Sequence, residues 1–173
     1  MQTGWAAQTR GLRVEIMDAT ETILERWIAR TAESHPRHAA ALLSQEQDPF
    51  RNPVGALLRQ NLSHLLRELS GEMDTTAISS ALDPIMRLQV VQGFSSDDAV
   101  QFALLLKPIL QELAPEGRSA VVDCKIDDSR INRLAGMAAD KYAQCREQLA
   151  RIRANEVRRT NPVQQRIRAR RPA

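Results

Sequence analysis

Apolar residues recur along this chain at steps of three and four, and no window alternates apolar with polar positions as a β-strand does. The pattern predicts an all-α fold: a single domain of about six helices, bundle or globin-like, with a long C-terminal helix. That last helix, from about Asp123 to Arg159, organises the rest. Ile131, Leu134, Ala138, Tyr142, Cys145, Leu149 and Ile152 follow steps of three, four, four, three, four and three, which places them on one stripe. Arg133, Asp140, Arg146, Glu147 and Arg151 fall on the opposite face. A helix this long, apolar along one side only, needs a surface to lie on. The earlier helices are expected to cover part of the stripe and a second copy of the chain the remainder. Ile131, Leu134, Tyr142, Cys145, Leu149 and Ile152 are therefore the candidate dimer or partner interface.

The earlier helices are read in the same way. The first runs from about Leu12 to Glu33 and buries Ile16, Thr20, Ile23, Leu24, Trp27, Ile28 and Thr31. Pro36 stops it and suits the first turn of a short second helix through about Ser44. Asn52-Pro53 is a helix start: the Asn side chain caps open N–H groups, and Pro at the first position gives up no bond. Val54, Leu57, Leu58, Leu62, Leu65 and Leu69 make one face of this third helix, and Gly71 ends it. Asn61 lies on that face, as a core amide bonded to a neighbouring backbone or as part of a small polar pocket. From Thr75 to Gln92, Asp83-Pro84 reads either as the start of a new helix after a short one or as a kink within one helix; the cap chemistry favours the first, and Gly93 ends the segment. Ser95-Ser96-Asp97-Asp98 is a capping box that opens the fifth and most apolar helix, which Pro108 should bend. A turn at Ala114 to Gly117 leads into the final helix.

Composition narrows this picture. At 173 residues the chain suits one domain, able to bury roughly 70% of its unfolded surface. Aromatics are only 3% against 43% hydrophobic, so Leu, Ile, Val, Ala and Met must build the core. No stretch reaches 18 uninterrupted apolar residues and Met1 to Gly11 lacks the apolar core of a signal peptide, so a cytoplasmic protein without a membrane span is expected. Charge is uneven. Residues 158–173 hold six arginines and no acid; +3 for the whole chain against +6 for this tail leaves −3 for the body. The expected organisation is a flexible N-terminus over 1–11, a helical domain over 12–159 and a disordered Arg-rich tail over 160–173. Cys124 and Cys145, 21 positions apart on one helix, would be separated by about 31 Å. That is far beyond the roughly 7 Å Cα limit of a disulfide, and two reduced thiols are expected.

Four motifs in order carry a resemblance. Asn52-Pro53-Val54-Gly55, then Arg87 through Gln92, Phe94 and Ser95, then Leu104-Leu105-Leu106-Lys107, then Cys145-Arg146-Glu147 with Asn155-Glu156-Val157, have the order and spacing of one family. From about Val14 to Arg159 the chain resembles the N-terminal domain of RsbT co-antagonist proteins of the RsbRD type. Asn52, Pro53, Gly55, Arg87, Gln92, Phe94, Ser95, Arg146 and Glu147 are the motif positions. The resemblance implies an all-helical sensory or regulatory input domain of bacterial stress signalling. Such a domain is likened to a globin without haem, dimerises, and leads through its last helix into a STAS domain. Two departures stand out. The chain ends 14 residues after Arg159, so a stand-alone module is expected and kinase antagonism and phosphorylation are not transferred. Gly93 stands where the family pattern leads one to expect an acid.

Catalytic chemistry leaves no sign in the sequence. There is no Gly-x-Ser-x-Gly, Walker loop, Cys-x-x-Cys or His-Glu-x-x-His. His35 and His38 flank a proline without a third ligand, and read as surface or capping residues. His64, at the edge of the third helix's apolar face, reads as a boundary residue and not as an axial haem ligand. No catalytic residue, cofactor or metal is expected. The Arg-rich tail lacks aromatics for base stacking, which argues against sequence-specific nucleic-acid recognition. The leading expectation is a non-catalytic regulatory or sensory protein-interaction module, a homodimer through its terminal helices, with an unknown protein partner. Two alternatives remain open: an accessory subunit of a larger redox or membrane-associated complex, docked by the tail, and a small-molecule or haem sensor with a pocket between the third, fifth and sixth helices.

Overall fold

The computed structural model describes residues 20–33, 48–113 and 125–169, with 160–169 as helical backbone. Every regular element among them is a helix: α1 over 20–33, α2 Pro53–Ser70, α3 Thr75–Gln92, α4 Ser96–Leu104, α5 Leu106–Leu113 and α6 Asp128–Ala169. Met1 to Gly11, Ile16, His35, His38, the helix expected from Pro36 to Ser44, the turn at 114–117 and Cys124 lie outside the described residues.

Helix starts follow local chemistry. The Asn52 side chain accepts the Gly55 N–H at 2.9 Å, with Pro53 first in α2. The Asp74 carboxylate takes the Thr76 N–H at the start of α3. Ser95 and Asp98 complete the capping box of α4, the Ser95 hydroxyl accepting from Asp98 N–H and the Asp98 carboxylate from Ser95 N–H. At Gly93 the backbone turns left-handed, φ +76°, and the Gly93 and Phe94 N–H groups reach back to Val90 and Gln89 carbonyls. This is a Schellman end, which glycine adopts without steric cost. Gly71 caps α2 with φ −105° instead, and the positive φ falls two residues later at Met73.

Three expectations are corrected. Asp83-Pro84 does not start a helix: α3 is continuous through Pro84. Asp83 spends its carboxylate on Arg87 Nε at 2.6 Å and Lys141 Nζ at 3.9 Å. The carbonyl that Pro84 leaves without a donor belongs to exposed Ser80, where solvent reaches it. The fifth predicted helix is interrupted at Leu105, which divides it into α4 and α5 while keeping helical dihedrals of φ −60° and ψ −21°. The last helix begins at Asp128, not Asp123, because Lys125 sits at φ +52° and Asp127 caps the Arg130 N–H at 2.8 Å. Its backbone also stays helical through Ala169, into the segment read as a disordered tail.

Packing centres on α6, which lies between α3 on one side and α4 on the other, while α2 backs α3. Contacts from Asp83–Lys141 on to Val90 beside Leu149 make α3 and α6 parallel. Ile131, Leu134 and Ala138 on α6 are fully covered, as are Leu62, Leu65, Ile78, Leu82 and Met86 on α2 and α3. Each such Leu or Ile is worth about 1.5–3 kcal/mol of transfer free energy. α1 joins through Trp27, which stacks on Phe102 at 6.0 Å and donates its indole N–H to the Phe102 carbonyl at 2.6 Å. Arg130 on α6 holds the end of α2, donating to the Leu69 and Gly71 carbonyls at 2.8 and 2.6 Å.

Candidate interaction site

The seam between the end of α3 and the middle of α6 brings together two exposed large apolar side chains, Val91 and Ile152, and most of the motif residues. α3 supplies Arg87, Val90 and Val91, its Schellman turn sets Phe94 and Ser95 at the corner, and α6 supplies Tyr142 through Arg153. The Tyr142 hydroxyl donates to the Phe94 carbonyl at 2.5 Å, pinning the corner to α6. A groove of about 460 Å³ opens there, between Phe94, Ser95, Tyr142, Arg146, Leu149 and Arg153. On the other side of Leu149 a smaller groove of about 220 Å³ runs between Arg87, Val91, Cys145 and Ile152.

The six residues expected at an interface divide in two. Ile131, Leu134, Tyr142 and Cys145 are buried by the chain itself, so they have no area left to offer a partner. Leu149 is half-buried, and Ile152 is 55% exposed beside Val91 at 69%. The apolar stripe thus changes role along its length: core up to Cys145, boundary at Leu149 and open surface at Ile152. Val91 was not visible as part of this patch in the sequence, since only the parallel pairing of α3 with α6 brings it to Ile152.

Electrostatics here centre on Asp83, shared by Arg87 and Lys141. Cys145 is a free thiol whose pKa is raised, first by burial and then by Asp83, against the opposing pull of Arg87 and Lys141. A raised pKa keeps it protonated and weakly nucleophilic. The N-terminus of α4 borders the larger groove, but its own Ser95–Asp98 box already fills it.

Among the motif positions, Arg87, Phe94, Ser95, Arg146 and Glu147 converge on this seam, and Gln92 sits at the end of α3. Glu147 pairs with Arg151 one turn on. Asn52, Pro53 and Gly55 are not part of it; they build the start of α2. His64 is half-buried on α2, and among the described residues no three His, Cys, Asp or Glu side chains come together to hold a metal. Asn61 is the self-satisfied amide, its Nδ2 donating to the Leu57 carbonyl at 2.7 Å. No described helix is long and apolar enough to cross a membrane.

Fold and seam together define an all-α single domain built on one long C-terminal helix, with an apolar patch of Val91 and Ile152 where that helix meets the end of α3. Residues 21–157 match the family model of the RsbT co-antagonist protein rsbRD N-terminal domain, and the chain belongs to this family. Neither a curated protein nor a solved structure matches the chain. The family is one of regulatory signalling domains and not a known family of enzymes.

Proposed function

We infer that the chain is a non-catalytic regulatory input module of the stressosome type that works by protein–protein contact, and that it pairs with a second copy through the α3–α6 seam. The observation that carries this is the alignment of Val91, Leu149 and Ile152 in one open apolar strip. Two exposed aliphatic side chains, Val91 and Ile152, beside a half-buried Leu149 are a cost that a partner's matching strip removes. A strip running along a single helix seam also suits a two-fold contact, in which the same patch serves both subunits. The motif residues Arg87 and Arg146 flank the strip and supply its polar rim. A partner at the seam would touch the last helix, the element through which an input domain of this family passes its state onward.

Sedimentation velocity over a micromolar to hundred-micromolar series tests the pairing. The unaltered chain should sediment as a dimer, and the double variant Leu149→Glu, Ile152→Glu as a folded monomer with unchanged helicity. A monomer throughout the series, or a dimer that the double variant leaves intact, rules this interface out.

A further inference from the structure

The larger groove, about 460 Å³, lies between the α3–α4 corner and one face of α6. On that face Arg146 and Arg153 are seven residues apart, within about 20° of each other round the helix, with Leu149 and Ala150 between them. The opposite wall is held in place: Gly93 turns it, the Tyr142 hydroxyl donates to the Phe94 carbonyl, and Ser95 and Asp98 close their capping box. Among the described residues no acid lines the groove, and neither Arg146 nor Arg153 takes part in an ion pair. Acids close by in sequence are engaged elsewhere, Asp98 with Ser95 and Glu147 with Arg151. We propose that this groove binds a small amphipathic anion: an oxyanion head, carboxylate or phosphate, between Arg146 and Arg153, with a short apolar body against Val90, Leu149 and Ala150.

Charge sets one half of the ligand. Two guanidinium groups that no carboxylate of the chain offsets make a paired positive focus, and each can hold a carboxylate or phosphate through two parallel hydrogen bonds. The Ser96 hydroxyl on the opposite wall adds a donor. Size sets the other half. The groove falls within the roughly 300–1,000 Å³ of small-molecule sites. Arg146 and Arg153 are about 10.5 Å apart along the axis, which leaves room for one short aliphatic chain or ring between them. An acidic helix laid along α6 fits less well, since it needs anchors over several turns. Past Arg146, the adjoining recess over Ala139 and Ala143 brings in the Glu147 carboxylate, which repels a second acid. The groove is also separate from the pairing strip. Leu149 borders both, but Ile152 precedes Arg153 by one residue and so points about 100° away round the helix.

Isothermal titration calorimetry of the full chain with octyl phosphate and with octanoate, each below its micelle-forming concentration, tests this. At least one should bind at a single site per chain, and the tighter of the two identifies the head. Inorganic phosphate, without the apolar body, and octylammonium, with the charge reversed, should each bind at least about tenfold more weakly. Arg146→Gln and Arg153→Gln should each weaken the tighter amphiphile by about tenfold, the loss of one charge-assisted hydrogen bond. Both side chains are exposed, so the variants keep their fold, which circular dichroism checks. Ile152→Gln, which disrupts the pairing strip without adding charge, should bind as the unaltered chain does, whether or not the chains pair. No saturable heat from either amphiphile, or affinity unchanged in both arginine variants, would overturn the proposal. So would octylammonium or inorganic phosphate binding as tightly as the amphiphilic anions, or tighter capture by polyglutamate or phosphatidylglycerol vesicles. Loss of binding in Ile152→Gln to the extent seen in the arginine variants would count against it equally.

Discussion

Cys145 lies on the buried stripe of α6 with Asp83, Arg87 and Lys141 as its charged surroundings. Burial raises its pKa most, Asp83 raises it further, and the two cations offset part of this. A thiol that holds its proton more tightly when folded stabilises the fold fully below its unfolded value, about 8.5. That contribution is lost as pH rises through this value towards the folded one. Urea unfolding between pH 7 and 10 should therefore show a steeper loss of stability in the unaltered chain than in Cys145→Ala. Equal slopes would mean the thiol titrates alike in both states. Gly93 is the other instructive residue. Against the family pattern it read as a missing acid, whereas at φ +76° it is the residue that closes α3 at least strain. The sequence marked Gly93 as a helix end correctly, because that inference needs only local chemistry.

Two prolines separate what a helix pattern reveals from what packing decides. Pro108 falls third in α5, where the N–H groups of a first turn have no partner in any case, so breaking the helix ahead of it loses little. Trp27 then takes the Phe102 carbonyl near the break, a contact 75 positions away that no local pattern announces. Pro84 lies mid-helix with a better capping residue before it, yet α3 does not break. Leu82, Ile85 and Met86 are buried around it, and Asp83 is committed to Arg87 and Lys141, so both halves are held on one axis by their neighbours. Packing overrides a local preference worth about 3 kcal/mol. Replacing Pro84 by Ala restores a donor to the Ser80 carbonyl and should stabilise the chain by about 1–3 kcal/mol in urea denaturation. A loss of stability would show that the proline's ring or its bend is needed for the fit of α3 on α6. The caps at Asn52 and Ser95 were legible for the opposite reason: capping is settled within four residues.

At the scale of the molecule, the stripe on α6 was legible as one surface but not as two. Periodicity says that Ile131 to Ile152 face one way; it does not say where α3 stops. That endpoint turns Leu134 into core and Ile152 into surface, and the parallel pairing of α3 with α6 brings the motifs near Arg87 and Arg146 together across more than fifty positions. The same endpoint predicts how stability is distributed along the rod. Leu134 is fully covered, and Leu134→Ala should cost about 2–5 kcal/mol through lost transfer and a residual cavity. Residues 151–159 are exposed, and an isolated stretch of helix is marginal on its own. Removing residues 160–173 should therefore shift the unfolding free energy by less than about 0.5 kcal/mol, while the helical signal at 222 nm drops because α6 is shorter. A loss approaching that of Leu134→Ala would place the arginine-rich end against the body, and the rod would then be held along its whole length instead of projecting from it.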